Sequence, residues 1–376
     1  MNKTELTRLP SLDGWRAASI ILVLAAHSRS LVGFPSWLFQ PVVIVSDSGN
    51  LGVRFFFIIS GFLITWLLLT EDVASAGQGI SLKRFYYRRA LRIFPVYFFF
   101  LAVVAGLELV TPFRQDAWVW LGNLTFTTNY LGNGQLTGHL WSLAIEEQFY
   151  LVWPGVFLLF GLAANLRRGL LILSIPILVG PVTRIICCKK YYEHYPGFLK
   201  WYFDDTFNWP TTNYADSLAI GCVGALLLFK RRALVLGFLQ ANSRILPWIG
   251  LSLIGIPMLM SEFHFPGRLQ ALLSYTMQGT GFAMLILDSV TNPGKKWYRP
   301  LNNPMARHIG VLSYSIYIWQ EIFCSPELLG VNPNAWWMSF PGWIISGLMV
   351  AHVSYYGLEM PFFKLRKRYG SAATKL

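Results

Sequence analysis

Two ionisable side chains, Arg16 and His27, lie eleven residues apart in the first long apolar segment of the chain. Eleven residues are close to three turns of an α-helix, so both side chains lie on one face, about 16 Å apart along the axis. Histidine is the usual general base near neutral pH, and arginine can stabilise a negatively charged oxygen. The pair therefore predicts acid–base chemistry. A hydrogen-bonded structural histidine and an arginine that reaches to the lipid headgroups are the alternatives.

Two adjacent carboxylates, Glu146 and Glu147, lie in a second apolar stretch, HLWSLAIEEQFYLVWP. Neighbours on a helix cannot face the same direction, whereas Ser142, Glu146 and Tyr150 recur at every fourth position and share a face. Charges within a membrane segment are costly unless they are paired or reached by water. We predict that at least one glutamate points into a polar cavity, where it orients a catalytic base or pairs with an arginine. A purely structural ion pair is the alternative.

Three arginines, Arg88, Arg89 and Arg92, lie in the stretch SLKRFYYRRALRIFP, where a third apolar segment begins. Their spacings of three and four residues bring them together as one basic patch on a helix. A guanidinium group binds phosphate through two parallel hydrogen bonds. The patch therefore predicts a phosphate-bearing ligand, with ordinary anchoring at the cytoplasmic membrane surface as the alternative.

The composition places these residues in a membrane. Of the 376 residues, 54% are hydrophobic and 13% are charged, about half the charged share of a soluble domain. A helix needs about 20 apolar residues to cross the hydrocarbon layer. The sequence predicts an all-α integral membrane protein with a single domain over residues 1–376 and about ten transmembrane helices. The predicted spans are 13–34, 51–70, 90–111, 141–162, 169–186, 214–229, 245–261, 269–288, 308–324 and 341–360.

Loop charges predict the orientation. Most of the 31 lysines and arginines fall before the first span, after the last, or in the even-numbered loops, which predicts that both termini are cytoplasmic. The net charge of +13 then follows from positively charged inner loops, and no nucleic-acid partner is expected. The six histidines and four cysteines have no metal-binding spacing, so we expect no metal site and no permanently bound cofactor.

Taken together, these stretches resemble the acyltransferase-3 family of bacterial integral membrane acyltransferases, which acylate surface glycans and some small molecules. The resemblance covers nearly the whole chain. It is carried by LDGWRAASIILVLAAHS, LGVRFFFIISGFLIT, FYYRRALRIFPVY, HLWSLAIEEQFYLVWP, LSYSIYIWQ and LEMPFFKLRKR. Three positions depart from the family pattern: Arg54 replaces a frequent acidic residue, Tyr214 a common arginine, and Gln320 a histidine.

The resemblance implies a multi-pass enzyme of the bacterial plasma (inner) membrane. Its partners would be membrane lipid, acyl-CoA as co-substrate, most often acetyl-CoA, and a glycan or lipid-linked sugar as acceptor. The phosphates of the donor would meet the arginine patch. His27, oriented by Glu146 or Glu147, would deprotonate an acceptor hydroxyl, with an acyl-histidine relay as a variant. Arg16 could stabilise the oxyanion, and the substrate-side candidates are Ser142, Tyr150 and Asp216.

Two other classes fit part of this pattern. A transporter or flippase for a lipid-linked saccharide would also have many spans and buried charges, but the chain has no evident repeat between its halves. A non-catalytic subunit of a glycan assembly complex would need no buried base. The concentration of charges in the first, third and fourth spans favours a single catalytic centre.

Overall fold

The computed structural model describes residues 9–28, 31–47, 51–75, 79–132, 134–194, 210–262 and 267–368, and this part of the chain is helical without a β-strand. The all-α class predicted from the sequence is confirmed. The helices are α1 (Leu12–Ser28), α2 (Ser36–Asp47), α3 (Leu51–Ala74), α4 (Leu82–Val110), α5 (Ala117–Thr125), α6 (Thr128–Leu131), α7 (Leu140–Leu159), α8 (Leu166–His194), α9 (Ala215–Lys230), α10 (Arg232–Ala241), α11 (Leu246–Glu262), α12 (Gly267–Thr291), α13 (Pro304–Phe323), α14 (Gly342–Ser354) and α15 (Met360–Arg368). A π-helical turn, Tyr355–Glu359, joins α14 to α15.

Each predicted span overlaps one of the longer helices. Within the described residues, three helices are long and apolar enough to cross a membrane by themselves: α3, α4 and the part of α8 from Leu166 to Cys187. A fourth is possible if α10 and the Leu246–Met260 part of α11, which meet at 87°, form one span. Others are shorter, such as α1 with 17 residues and α9 with 16. The count of ten spans and the side of the termini remain predictions.

Short helices between the long ones were not predicted. They include α5, with nine residues, and α10, with ten. Neither is long enough to cross a bilayer by itself, so the length of apolar segments does not predict either helix.

Helix α3 lies at the centre of the fold, and glycines bring it very close to α9. A Cβ atom added at Gly61 would lie 2.0 Å from the carbonyl oxygen of Leu218, and one added at Gly221 would lie 2.2 Å from that of Ile58. Small residues at such crossings allow the backbones of membrane helices to touch. The contact fixes Ser60, the neighbour of Gly61, at the centre of the helix bundle.

Glycines also bring α1 close to α13 and to the 3₁₀ turn Pro300–Asn302 that precedes α13. A Cβ atom at Gly310 would lie 1.8 Å from the carbonyl oxygen of Asp13, and one at Gly14 would lie 2.1 Å from that of Leu301. The start of α13 is set by Asn303, whose side chain accepts from the Ala306 N–H at 2.7 Å, followed by proline at the first helical position. This packing places the ionisable face of α1 beside α13.

Candidate functional site

A cavity with a mixed polar and apolar lining lies among α1, α3, α4, α7 and α13, and about 780 Å³ of space there, part of it open to solvent, is not filled by protein atoms. The side chains that line it include charged and hydroxyl groups from all five helices. The charged ones are Arg16, Arg89, Arg92 and Glu146, and the hydroxyl-bearing ones include Ser60, Ser142, Tyr150 and Tyr317. A cavity that holds three guanidinium groups and one carboxylate suits an anionic ligand.

Glu146 points into this cavity. Its carboxylate accepts a hydrogen bond from the Ser60 hydroxyl at 2.7 Å, and the Tyr150 hydroxyl lies 3.2 Å from its second oxygen and 2.9 Å from Ser60 Oγ. Ser142, Glu146 and Tyr150 all line the cavity, as expected for residues spaced by four on one helix. Glu147 is outside the lining, and its Oε1 is buried without a hydrogen-bond partner among the described residues. The two adjacent carboxylates therefore occupy different environments.

The three arginines of the predicted patch divide between two environments. Arg89 and Arg92 line the cavity together with Arg16, and the Arg89 guanidinium lies 5.0 Å from the ring centre of Tyr150. Arg88 is buried and binds Glu71 of α3 at 2.7 Å. Because a buried guanidinium needs a charged partner, Arg88 belongs to a structural ion pair and the cavity holds the other two.

His27 has a carboxylate beside it that the sequence analysis did not select. Its Nδ1 lies 2.9 Å from the carbonyl oxygen of Val23. A carbonyl oxygen can only accept, so Nδ1 carries the hydrogen and Nε2 is the basic nitrogen. Nε2 lies 3.4 Å from Oε2 of Glu321 on α13. The sequence analysis assigned this orienting role to Glu146 or Glu147, whereas in the structure Glu146 binds Ser60 and Tyr150.

Glu321 could have been found from the sequence. It lies near the end of the predicted span 308–324, so the rule that drew attention to Glu146, an ionisable residue within an apolar segment, applies to it equally. It directly follows the family stretch LSYSIYIWQ, so the family motif does not include it.

The carboxylate of the His27–Glu321 pair is carried one helical turn from the cavity lining, because Tyr317, which lines the cavity, and Glu321 are four residues apart on α13. Ser142 and Tyr317 line the cavity, and their hydroxyl oxygens lie 2.5 Å apart. The Tyr317 hydroxyl donates to the carbonyl oxygen of His139 at 2.7 Å. The His139 ring in turn lies against Glu321, with Nδ1 3.8 Å from Oε2. His27 lies beyond this end of the cavity, and its side chain is 32% exposed.

Asp216 lies in a buried ion pair apart from the cavity lining. Arg184 of α8 donates to its carboxylate at 2.9 Å, and the Thr276 hydroxyl donates to it at 2.7 Å. The same guanidinium also donates to the carbonyl oxygens of Asn213 and Ala271, at 2.6 and 2.8 Å. These contacts join α8, α9 and α12, so the structure places Asp216 in the framework of the helix bundle.

Two of the three departures from the family pattern meet at this ion pair. The guanidinium of Arg54 lies 4.0 Å, and that of Arg184 4.6 Å, from the ring centre of Tyr275. The ring of Tyr214 lies 5.5 Å from that of Tyr275. The cation that pairs with Asp216 is Arg184 on α8. The third departure, Gln320, is buried, and its amide has no hydrogen-bond partner within the described ranges.

No group of three His, Cys, Asp or Glu side chains in the described part of the chain is arranged to hold a metal ion. The basic nitrogen of His27 faces the carboxylate of Glu321, and such a pair can take up a proton and stabilise the imidazolium that forms.

Comparison with known proteins identifies the class. Residues 9–358 match the family model described as an acyltransferase domain, and the chain belongs to this acyltransferase-3 family. The resemblance drawn from the motifs, and with it the enzyme class, is confirmed.

Several named relatives align along nearly the whole chain. The peptidoglycan O-acetyltransferase OatA of Listeria monocytogenes is 27% identical over 95% of this chain and 56% of its own length. The O-acetyltransferase OatA of Staphylococcus aureus is 29% identical over 95% and 57%. The putative peptidoglycan O-acetyltransferase YrhL of Bacillus subtilis is 26% identical over 96% and 56%. The chain thus spans somewhat over half the length of these relatives. No solved structure matches it.

Proposed function

We propose that the protein transfers an acyl group, most often acetyl, from cytoplasmic acyl-CoA to a hydroxyl of an extracytoplasmic or lipid-linked glycan in the bacterial inner membrane. The observation that carries this proposal is the His27–Glu321 pair at the end of a cavity lined by three arginines. The relatives are named as O-acetyltransferases, two of them as peptidoglycan O-acetyltransferases. These names support the acetyl group and the glycan acceptor.

The proposed topology has ten spans with both termini in the cytoplasm. Helix α4 then begins at the cytoplasmic surface, where Ser81 caps its first turn by accepting from the Arg84 N–H at 3.4 Å. Arg89 and Arg92 follow within three turns of that start, so the arginine-lined end of the cavity faces the cytoplasmic donor. His27 is in the last turn of α1 and therefore near the opposite surface.

In the proposed mechanism, the donor phosphates bind Arg89 and Arg92, and the pantetheine arm carries the thioester along the cavity. His27 Nε2 takes the proton of the acceptor hydroxyl, and Glu321 stabilises the imidazolium that forms. The hydroxyl oxygen bonds to the thioester carbonyl carbon, and the carbon–sulfur bond breaks as the intermediate collapses. The thiolate leaves and takes up the proton held on His27 Nε2, which restores the neutral base. Hydroxyl and guanidinium groups of the lining would stabilise the tetrahedral oxyanion.

The proposal is tested by acetyl transfer in membranes that contain the protein. Membranes are incubated with radiolabelled acetyl-CoA and then extracted for glycan, beside membranes from cells that lack the gene. We expect label in the glycan only when the protein is present. A protein that is abundant and folded but transfers nothing from acetyl-CoA or longer acyl-CoAs would contradict the proposal. Flux of a lipid-linked saccharide in the same membranes would then indicate a flippase.

The arginines of the cavity should control donor binding. Replacing Arg92 by glutamine removes a charge-assisted contact of about 1.5–3 kcal/mol, which corresponds to a rise of about 10- to 100-fold in the KM for acetyl-CoA. The kcat should change little, because the phosphates are remote from the reacting carbon. Steady-state kinetics over a range of acetyl-CoA concentrations measures both constants.

Arg84 provides the matched control, since it is exposed on the same helix, two turns before Arg92. Arg84→Gln should leave the KM for acetyl-CoA unchanged. An Arg92→Gln protein with the wild-type KM would mean that the donor phosphates bind elsewhere.

A further inference from the structure

One hydroxyl group of the cavity lining has no hydrogen-bond partner among the described residues. Ser313 of α13 lines the cavity and is fully buried, and its Oγ is bonded to no atom of the described part of the chain. The hydroxyls of the other serines and tyrosines of the lining are each bonded to a protein atom. Because a buried hydroxyl without a partner is costly, Ser313 is suited to bind a polar group of a ligand in the cavity.

The hydroxyl of Ser313 also differs from those of other serines within helices. Such a serine commonly donates to the carbonyl oxygen four residues earlier, as Ser19 does to Trp15 at 2.9 Å and Ser28 to Leu24 at 2.8 Å. Ser313 makes no bond of this kind. Its side chain shares a face of α13 with the residue four positions later, which also lines the cavity.

Ser313 lies on the arginine side of the cavity. The hydroxyl of its neighbour Tyr314 donates at 2.8 Å to the carbonyl oxygen of Ile93 on α4, the residue directly after Arg92. This bond fixes α13 beside the helix that carries the cavity arginines. Ser313 is therefore close to the part of the cavity that is proposed to bind the donor phosphates.

The spacing along α13 matches the pantetheine arm of the proposed donor. Ser313 and Glu321 are eight residues apart, which is about 12 Å along the helix. The thioester must approach His27 Nε2, which lies 3.4 Å from the Glu321 carboxylate. The arm contains two amide groups, which we call the near and the far amide as counted from the sulfur. Three bonds of an extended chain span about 3.6 Å, so the two amide carbonyl carbons lie roughly 6 and 11 Å from the thioester carbon, and the far amide reaches the level of Ser313.

We propose that Ser313 is a specificity-determining residue whose hydroxyl donates a hydrogen bond to the carbonyl oxygen of the far amide of acyl-CoA. The role rests on the proposed function, because it requires acyl-CoA as the donor. Ser313 contacts the donor far from the reacting carbon, so it contributes to binding and not to the chemical step. An acyl thioester of a simple thiol, which lacks this amide, gains nothing from the contact.

A series of donors tests this contact. Acetyl-CoA is compared with two analogues, in which either the near or the far amide is replaced by two methylene groups. Ser313→Ala should raise the KM about 5- to 50-fold for acetyl-CoA and for the analogue without the near amide, because the far amide is then buried without its donor. For the analogue without the far amide, wild type and Ser313→Ala should have the same KM within about 2-fold. The kcat should stay within about 2-fold of wild type for each donor.

Ser19→Ala is the matched control. Ser19 is also buried on a helix that borders the cavity, but its hydroxyl is bonded within its own helix and it is outside the lining. Its replacement should leave the KM unchanged for all three donors. Rates are expressed per folded protein, measured by gel filtration in detergent, so loss of folding is not mistaken for loss of binding.

Two results would overturn the contact. One is an unchanged KM for acetyl-CoA in the Ser313→Ala protein, and the other is an equal rise in KM for all three donors, which would indicate a changed cavity shape. A wild-type protein that transfers nothing from acetyl-CoA would overturn the proposed function, and the role of Ser313 with it. An active wild type with either of the first two results would overturn the role of Ser313 alone.

Discussion

Membranes that contain the His27→Ala protein should transfer acetyl groups about 10²- to 10⁴-fold more slowly than wild type, which is the usual contribution of a general base. The loss should fall on kcat, because His27 lies beyond the part of the cavity that holds the arginines. The measurement is the initial rate of label transfer from radiolabelled acetyl-CoA into glycan, at equal abundance of folded protein.

His352 supplies a control of the same residue type. It is exposed on α14, with its ring centre 4.7 Å from that of Tyr356, and His352→Ala should retain the wild-type rate. If the His27→Ala protein is folded and fully active, the base lies elsewhere and the mechanism proposed for the His27–Glu321 pair is wrong.

The second large effect concerns stability. Asp216→Leu leaves the Arg184 guanidinium buried without its carboxylate, and breaking a buried pair on one side costs about 3–5 kcal/mol. Thermal unfolding in detergent should therefore shift to markedly lower temperature. Replacing both partners, with Arg184→Met added, should recover much of the loss, because two apolar side chains leave no buried charge.

Asp116 provides the reference for this experiment. It is exposed before α5 and makes no side-chain capping bond, so Asp116→Leu should change stability by no more than about 0.5 kcal/mol. Acetyl transfer per folded molecule should be retained in the Asp216 variants. An Asp216→Leu protein that is as stable as wild type but has lost transfer would support the substrate-side role that the sequence suggested.

Local patterns predicted much of this fold and part of its candidate site. Apolar segment length predicted the positions of the long helices, and a spacing of four residues placed Ser142, Glu146 and Tyr150 on one face, which lines the cavity. Both are properties of a single helix. They required no knowledge of the neighbouring helices.

The pairing of charges could not be predicted in the same way, because it depends on which helices are neighbours. Arg88 and Arg89 are adjacent in the sequence, yet Arg88 forms an ion pair with Glu71 on α3, whereas Arg89 lines the cavity. His27 meets Glu321, 294 positions later, because α1 packs against α13. Helical periodicity relates residues within one helix, so it predicts neither the Arg88–Glu71 pair nor the His27–Glu321 pair.

The glycine contact between α1 and α13 also has a dynamic consequence. Where the Asp13 carbonyl oxygen meets Gly310, no side-chain layer separates the two backbones, so this part of α1 and α13 should move together. The two helices carry His27 and Glu321, respectively. A relative movement of α1 and α13 that separates His27 from Glu321 would therefore have to break this backbone contact or bend one of the two helices.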